Sequence, residues 1–244
     1  MSRSALALSV FIISMQTHAF VSAVPIGHVE SAMGNTGVGA TDTPSSVFYN
    51  PGGISSLETQ TVTASGSSYY LLNWTPPAGS GAPNVNSLNS VPTTMISTWK
   101  IGEGVLGVSL LVPESVTYAL SGNSPSTSAD LPNGLDYELN TSSTRSLIGL
   151  TWGRPVHRSD ERGIVRLGAT LFFSHHVAQT AGFLATPTSG ANALIVGTTS
   201  KATTMSVNPV LGVLFEPMTN LSYGVRVSLP SILISAENTG KSQT

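Results

Sequence analysis

The sequence predicts an all-β protein, an antiparallel transmembrane β-barrel with about seven strands over residues 58–244, preceded by a plug-like segment over 24–57 and an export signal over 1–23. Three observations predict it. Only 9% of the 244 residues are Asp, Glu, Lys or Arg, against roughly 25% in ordinary soluble domains. A water-facing surface needs more charge than that; a lipid-facing one does not. Segments of strict two-residue alternation recur along the chain, and the connections between them alternate short and long, as the turns and loops of outer-membrane barrels do.

The N-terminus reads as a secretory signal. Arg3 precedes an apolar run over 5–15, too short to span a bilayer, and small residues follow. They offer cleavage after Ala19 (Thr17-His18-Ala19) or after Ala23 (Val21-Ser22-Ala23). Next comes a glycine-rich lead, Met33-Gly34-Asn35-Thr36-Gly37-Val38-Gly39, which runs into Pro44-Ser45-Ser46-Val47-Phe48-Tyr49-Asn50-Pro51-Gly52-Gly53. Proline fixes its own φ and biases Asn50 toward extended backbone. Gly52-Gly53 supplies freedom to turn sharply in a crowded interior.

Strands are expected over 59–73, 91–101, 105–112, 144–153, 164–177, 204–216 and 221–229. The last is the clearest: Leu221, Tyr223, Val225, Val227 and Leu229 face one way, and Ser222, Gly224, Arg226 and Ser228 the other. Over 204–216, Met205, Val207, Pro209, Leu211, Val213 and Phe215 oppose Thr204, Ser206, Asn208, Gly212 and Glu216. Over 164–177, Val165, Leu167, Ala169, Leu171 and Phe173 oppose Arg166, Gly168, Thr170, Ser174 and His176. Ile148, Leu150 and Trp152 oppose Arg145, Gly149 and Thr151. The first segment, rich in Ser and Thr, is the weakest. Pro209 marks an edge or a bulge, because proline cannot donate to the ladder.

Short connections are expected at 102–104, 154–163 and 217–220, and long ones at 74–90, 113–143 and 181–202. An N-terminus in the periplasm gives this order. Trp99, Trp152 and Phe215 fall near the short turns and Tyr69, Tyr70, Trp74 and Tyr118 near the long loops, which suits two aromatic belts at the headgroup level. Residues 236–244 are polar and read as strandless. Seven strands cannot close in lipid, because open edges leave backbone groups unpaired at several kcal/mol each. The chain therefore reads as the N-terminal part of a longer barrel or a truncated gene product, unless a further strand lies within 113–143.

Residues 31–57 resemble the N-terminal hatch of the FadL/TodX family of outer-membrane transporters for hydrophobic compounds. There a glycine-rich lead and a small or acidic middle close on an aromatic-flanked Asn-Pro-Ala. Here Asn50-Pro51 fits, Gly52 stands in place of Ala, and Asp42-Thr43 replaces a commoner Asp-Asp. The resemblance implies a 14-stranded barrel in the bacterial outer membrane. It also implies passive uptake of molecules such as long-chain fatty acids or aromatic hydrocarbons, and a hatch that ligand displaces, with lateral exit through the wall. Phe48, Tyr49, Asn50, Pro51 and Gly52 are the hatch and ligand residues on this reading. The partners are a hydrophobic small molecule, outer-membrane lipid and the barrel-assembly machinery. The alternatives are a scaffold or secretion-associated barrel without transport, a secreted Ser/Thr-rich β-sandwich or adhesin, and, more distantly, an outer-membrane lipid enzyme.

Catalysis has little support in the sequence. There is no Gly-x-Ser-x-Gly elbow, and zero cysteines remove thiol nucleophiles and Cys-based metal sites. His175-His176 point to opposite faces of a strand and cannot simply share one ion. Asp130, Asp136 and Glu138 read as a solvated acidic loop. No enzyme activity, cofactor or metal is expected. A net charge of −2 without a basic cluster excludes nucleic acid as a partner. Arg145, Arg166, Lys201 and Arg226 are expected on the inner face, where a carboxylate entering an apolar cavity would need a cationic partner.

Overall fold

The computed structural model describes residues 26–33, 37–39, 42–65, 69–75, 84–90, 94–124, 135–159, 163–185, 195–218 and 221–243. The expected signal with both cleavage points, residues 34–36 of the glycine-rich lead and Asp130 lie outside them, as do the side chains of Tyr69, Tyr70 and Trp74. Ten strands form one antiparallel sheet: β1 (Thr61–Ser65), β2 (Tyr69–Trp74), β3 (Asn84–Ser90), β4 (Thr94–Ile101), β5 (Gly104–Ser124), β6 (Leu135–Ser159), β7 (Gly163–Ala185), β8 (Ile195–Met218), β9 (Leu221–Ser228) and β10 (Ile232–Gln243).

Pairing reduces these to seven passes in an up-and-down order. β1 and β2 make the first pass, pairing with β4 and β3 of the second, and both halves of the second pair with β5. β6, β7 and β8 follow singly, and β9 and β10 both pair with β8. Among the described residues the sheet does not close.

The passes are longer than hydrophobic alternation predicted. Most of the expected loop over 113–143 is strand, since β5 runs to Ser124 and β6 starts at Leu135; β3 likewise occupies part of the expected loop over 74–90. The tail expected to be strandless forms β10, with Asn238 opposite Ala202 and Gln243 opposite Gly197. These stretches are rich in Ser, Thr and Asn. Apolar alternation survives only in short patches there, at Val116, Tyr118 and Leu120 and at Tyr137 and Leu139, and is lost in the polar β10, while threonine's β-branched side chain still suits a pleated surface.

Every proline inside a strand sits at an irregularity. The β5–β6 register shifts between Leu111 and Glu114, around Pro113, and the β6–β7 register shifts between Pro155 and His157. Pro217 lies in the shift between Phe215 and Met218. Pro209 pairs regularly with Leu171 on the β7 side, and on its other side the seventh pass breaks between β9 and β10, with Leu229 N–H donating to the Pro209 carbonyl at 2.9 Å. The missing N–H of proline is tolerated where the ladder is already interrupted. The β4–β5 turn is the tightest: Ile101 pairs with Gly104, and Gly102 takes φ +60°, as the first central position of a type II′ hairpin requires.

Alternation gives the sheet two unlike faces. Ile148, Leu150, Trp152, Leu167, Leu171, Leu211, Val213, Val225 and Val227 are exposed on one. Thr151, Thr170, Phe172, Ser174, Val210 and Leu214 are buried on the other. The N-terminal segment covers that second face. It consists of α1 (His28–Ala32), a 3₁₀ turn over Gly37–Gly39, α2 (Ser46–Tyr49) and a second 3₁₀ turn over Pro51–Ser56. Ile26, Val47, Phe48, Tyr49, Ile54 and Leu57 from the segment join Ile96, Val105, Leu111, Leu147, Phe172 and Val210 from the sheet in one core.

Candidate functional site

The site begins at Asn50. Its backbone is extended (φ −155°), and its side-chain oxygen accepts from Gly52 N–H at 3.1 Å, capping the turn that Pro51 opens. Asparagine at the cap and proline at the first helical position are the residues such a start favours. The amide nitrogen donates to two carbonyls, Val38 at 2.8 Å and Val213 of β8 at 2.9 Å. A fully buried side chain thus ties three segments together. Each such bond contributes about 0.5–1.5 kcal/mol, and each partner left unpaired would cost about 1–3 kcal/mol.

Beneath Asn50-Pro51-Gly52 the sheet has no side chains. Gly153, Gly168 and Gly212 are direct cross-strand neighbours on β6, β7 and β8. A Cβ on Gly168 would strike the Pro51 carbonyl and lie 2.6 Å from Gly52 N; one on Gly212 would strike the Asn50 amide oxygen and lie 2.7 Å from Pro51 N. A Cβ on Gly153 would lie 2.6 Å from Ile54 and 2.8 Å from the Pro51 carbonyl oxygen. Gly107 and Gly224 extend the track, the first beneath Ile54 and Val47, the second beneath Val38.

This corrects the expected role of Gly52-Gly53. Neither has a positive φ, so left-handed freedom is not what Gly52 supplies. A Cβ there would lie 3.0 Å from the Arg166 carbonyl oxygen and 3.1 Å from that of Gly212. Gly52 is small because backbone lies against backbone.

Phe48 and Tyr49 diverge. The Tyr49 hydroxyl accepts from Ile26 N–H at 2.8 Å. Burial pushes its ionisation above the usual tyrosine range; the Ile26 N–H opposes that shift, the Glu30 carboxylate adds to it, and the Arg226 charge opposes it. Glu30 is itself buried, with one oxygen accepting from Thr43 Oγ1 at 2.7 Å and the other without a hydrogen-bond partner. Phe48 stands edge-on to Tyr49 and Phe172, with ring centroids 5.2 and 6.1 Å away. Thr170 Oγ1 donates to the Val47 carbonyl at 2.9 Å, fixing α2 to β7.

Beside Phe48 opens a pocket of about 150 Å³. Phe48, Leu147, Phe172, Val210 and Leu229 form its apolar walls, and Arg145 and Arg226 bring guanidinium groups to it. Tyr49, Asn50, Pro51 and Gly52 do not line it. Further along the face, a second crevice shares Arg145 and Ser231 and adds Ser174, His176, Thr204 and Ser206. Arg145 Nε donates to Ser174 at 3.0 Å, and Ser143 connects Glu114 (2.7 Å) to His176 (2.9 Å). Ser143 has one proton, which the carboxylate takes, so His176 donates to the hydroxyl instead of activating it. Among the described residues no group of His, Asp and Glu is placed to hold a metal ion.

The four basic candidates separate. Arg145 and Arg226 meet at the pocket. Arg166 Nε donates to Glu216 at 2.6 Å and a terminal nitrogen donates to the Ser55 carbonyl at 2.9 Å, so it binds the sheet to the segment's end. Lys201 is not brought to the pocket: it is exposed, and with an unshifted β7–β8 register it shares the parity of Leu211 and Val213 on the open face. Sequence reasoning missed Phe172 and the in-register glycine row. Phe172 has the same even parity as Arg166 and Thr170, so face assignment alone could have found it. The glycine row needed the strand register. No family model, curated protein or solved structure matches this chain.

Proposed function

We propose that the sheet is the wall of an outer-membrane β-barrel, that the N-terminal segment is its plug, and that hydrophobic molecules pass through it without catalysis. The observation that carries this reading is the contrast of faces. Leu150, Trp152, Leu171, Leu211, Val213 and Val225 stand exposed on one side of strands whose other side is sealed by the segment. An apolar face of this extent is unstable in water and suited to lipid. Trp99 and Trp152 on the exposed face, with Tyr223 stacked on Phe215 at 6.4 Å, support an aromatic belt at the short-turn end. The unpaired outer edges require further strands, because hydrocarbon does not satisfy backbone groups.

The pocket beside Phe48, apolar at Leu147, Phe172, Val210 and Leu229 and polar at Arg145, Asn208, Arg226, Ser228 and Ser231, supports transport over the alternative, a scaffold or secretion-associated barrel whose interior would be filled or wholly polar. Fractionation after high-salt washing tests location: the chain is expected with the outer membrane, and recovery in the soluble periplasm or the medium would sink the membrane reading. Deletion of residues 31–53 tests the plug. Raised conductance in reconstituted membranes is expected; unchanged conductance moves the weight to the scaffold.

A further inference from the structure

We propose that the open face of the sheet, beyond its apolar band, binds a lipid with a large phosphorylated sugar head, held by Lys201, Lys241 and a crevice beside Phe183. The proposal rests on the membrane reading above and adds a specific lipid at the long-connection end of the wall. Cross-strand pairing sorts this face into rows two residues apart. Ile148, Phe173, Val207 and Ile232 form the last wholly apolar row. Two mixed rows follow, ending on β10 in Ser235 and Glu237. Lys201 stands in the next row, between Gln179 and Thr239, and Lys241 in the one after, beside Thr199. The two lysines are therefore diagonal neighbours on β8 and β10, and both are exposed. Among the described residues neither has a carboxylate within ion-pair distance. Of the carboxylates nearest them on this face, Glu138 accepts from Asn140 Nδ2 at 2.8 Å, and Glu237 lies one row nearer the band.

Height selects the lipid. Each row adds about 5 Å along the barrel axis, at about 3.4 Å per residue and a strand tilt of about 40°. Val165 to His175 on β7 then spans about 26 Å, which matches the apolar band of about 25 Å in such barrels. The Lys201 row lies about 10 Å beyond that band and the Lys241 row about 15 Å. Head groups of ordinary phospholipids occupy only about 5–8 Å on each side of the hydrocarbon, so their phosphates lie below both rows and Lys241 is out of their reach. A phosphorylated oligosaccharide on a lipid anchor extends to that height. The crevice supplies the sugar contact. Asn140, Ala181, Phe183, Gly197, Thr199 and Lys241, all of the open face's parity, line most of a space of about 220 Å³. Phe183 is 41% exposed, at a level that hydrocarbon does not cover. Ala181 and Gly197 make a floor without bulk, and a Cβ on Gly197 would meet no described atom within 4 Å. Glycine inside a strand weakens it and marks a close approach. Gly168 and Gly212 admit Pro51, whereas no described group approaches Gly197, which leaves that space to a ligand. An exposed ring stacks on the C–H face of a pyranose, amide and hydroxyl groups bond its hydroxyls, and an ammonium meets its phosphate.

The test uses the full chain in phosphatidylcholine vesicles, with flotation as the check of insertion and three probes whose affinities are measured by competition. They are lipopolysaccharide with a phosphorylated core, the same lipopolysaccharide after enzymatic dephosphorylation, and phosphatidylglycerol. The wild type should prefer the first over each of the others by about tenfold. Lys201→Gln and Lys241→Gln should each weaken the phosphorylated probe by about three- to fivefold, the scale of one cation at an anionic lipid surface, and leave the dephosphorylated one unchanged. Lys241→Arg should keep the wild-type affinity. Phe183→Ala and Gly197→Leu should weaken both sugar-bearing probes alike and leave phosphatidylglycerol unchanged. Equal affinity of the wild type for all three probes, or lysine variants that lose phosphatidylglycerol as much as lipopolysaccharide, overturns the proposal and leaves the membrane reading standing. A wild-type chain that does not float with the vesicles overturns both. If Gly197→Leu does not insert, Phe183→Ala makes the same comparison.

Discussion

Two rows cross the same face of the same three strands and could hardly differ more. Gly153, Gly168 and Gly212 lie in register beneath Pro51, and further along, Arg145, His176 and Thr204 lie in register beside an open groove. Where another backbone must lie on the sheet, the row has no side chains; where the groove is open, all three side chains of the row are polar. The pleat and the ladder are alike in both places. What differs is the neighbour, and the neighbour decides what each position tolerates.

The largest effect should come from filling the glycine row. Gly168→Val puts a branched side chain where Pro51 sits, and should cost about 3 kcal/mol or more in denaturant unfolding, the upper range for overpacking. Thr204→Val in the other row should stay within about 0.5 kcal/mol. Similar costs at both positions would break the comparison. The reverse side of the sheet extends it: if that face meets lipid, Val225→Arg should cost about 2–4 kcal/mol in barrel folding, with Ser228→Arg milder. Equal tolerance would mean that the parity is misassigned. Asn50→Ala leaves the Val38 and Val213 carbonyls and Gly52 N–H without their partner and should cost about 2 kcal/mol, read as faster proteolytic release of the segment.

The smallest effect depends on pH. Burial raises the Tyr49 ionisation above its ordinary value, so the folded state holds that proton more tightly than the unfolded chain does. The stability this gives is fully present below the unfolded pKa of about 10 and is lost as pH rises through it toward the folded value. Release of the segment should therefore accelerate in that alkaline window. Tyr49→Phe should abolish the pH-dependent part and cost about 1 kcal/mol at neutral pH, through the lost bond to Ile26 N–H.

How much of this was legible followed from where apolar residues contrast with polar ones. In β9, Val225 and Val227 alternate with Gly224 and Arg226, and the faces were readable at once. In the upper parts of β5 and β6, Thr117 faces Ser142 and Ala119 faces Asn140, and the apolar alternation is confined to Val116, Tyr118 and Leu120 and to Tyr137 and Leu139; patches so short, set among Pro, Gly, Ser and Asn, read as loop. Asn50-Pro51 stood out because proline constrains its own neighbourhood. The seat beneath them did not, because Gly153, Gly168 and Gly212 are far apart in sequence and meet only once the register is fixed. Lys201 was assigned to the inner face with the arginines, yet two-residue steps from Val213 carry it to the other side.

The break opposite Pro209 has a mechanical meaning. A strand held by one continuous ladder comes away as a unit, because each bond is loaded with its neighbours. Here β8 holds the seventh pass by two separate ladders, to β9 and to β10, with residues 229–231 between them. Either half can unzip without pulling on the other. A crack started at one end stops at the interruption, and that interruption borders the pocket through Leu229 and Ser231. The seventh pass is a hinge line in the sheet, placed beside the cavity.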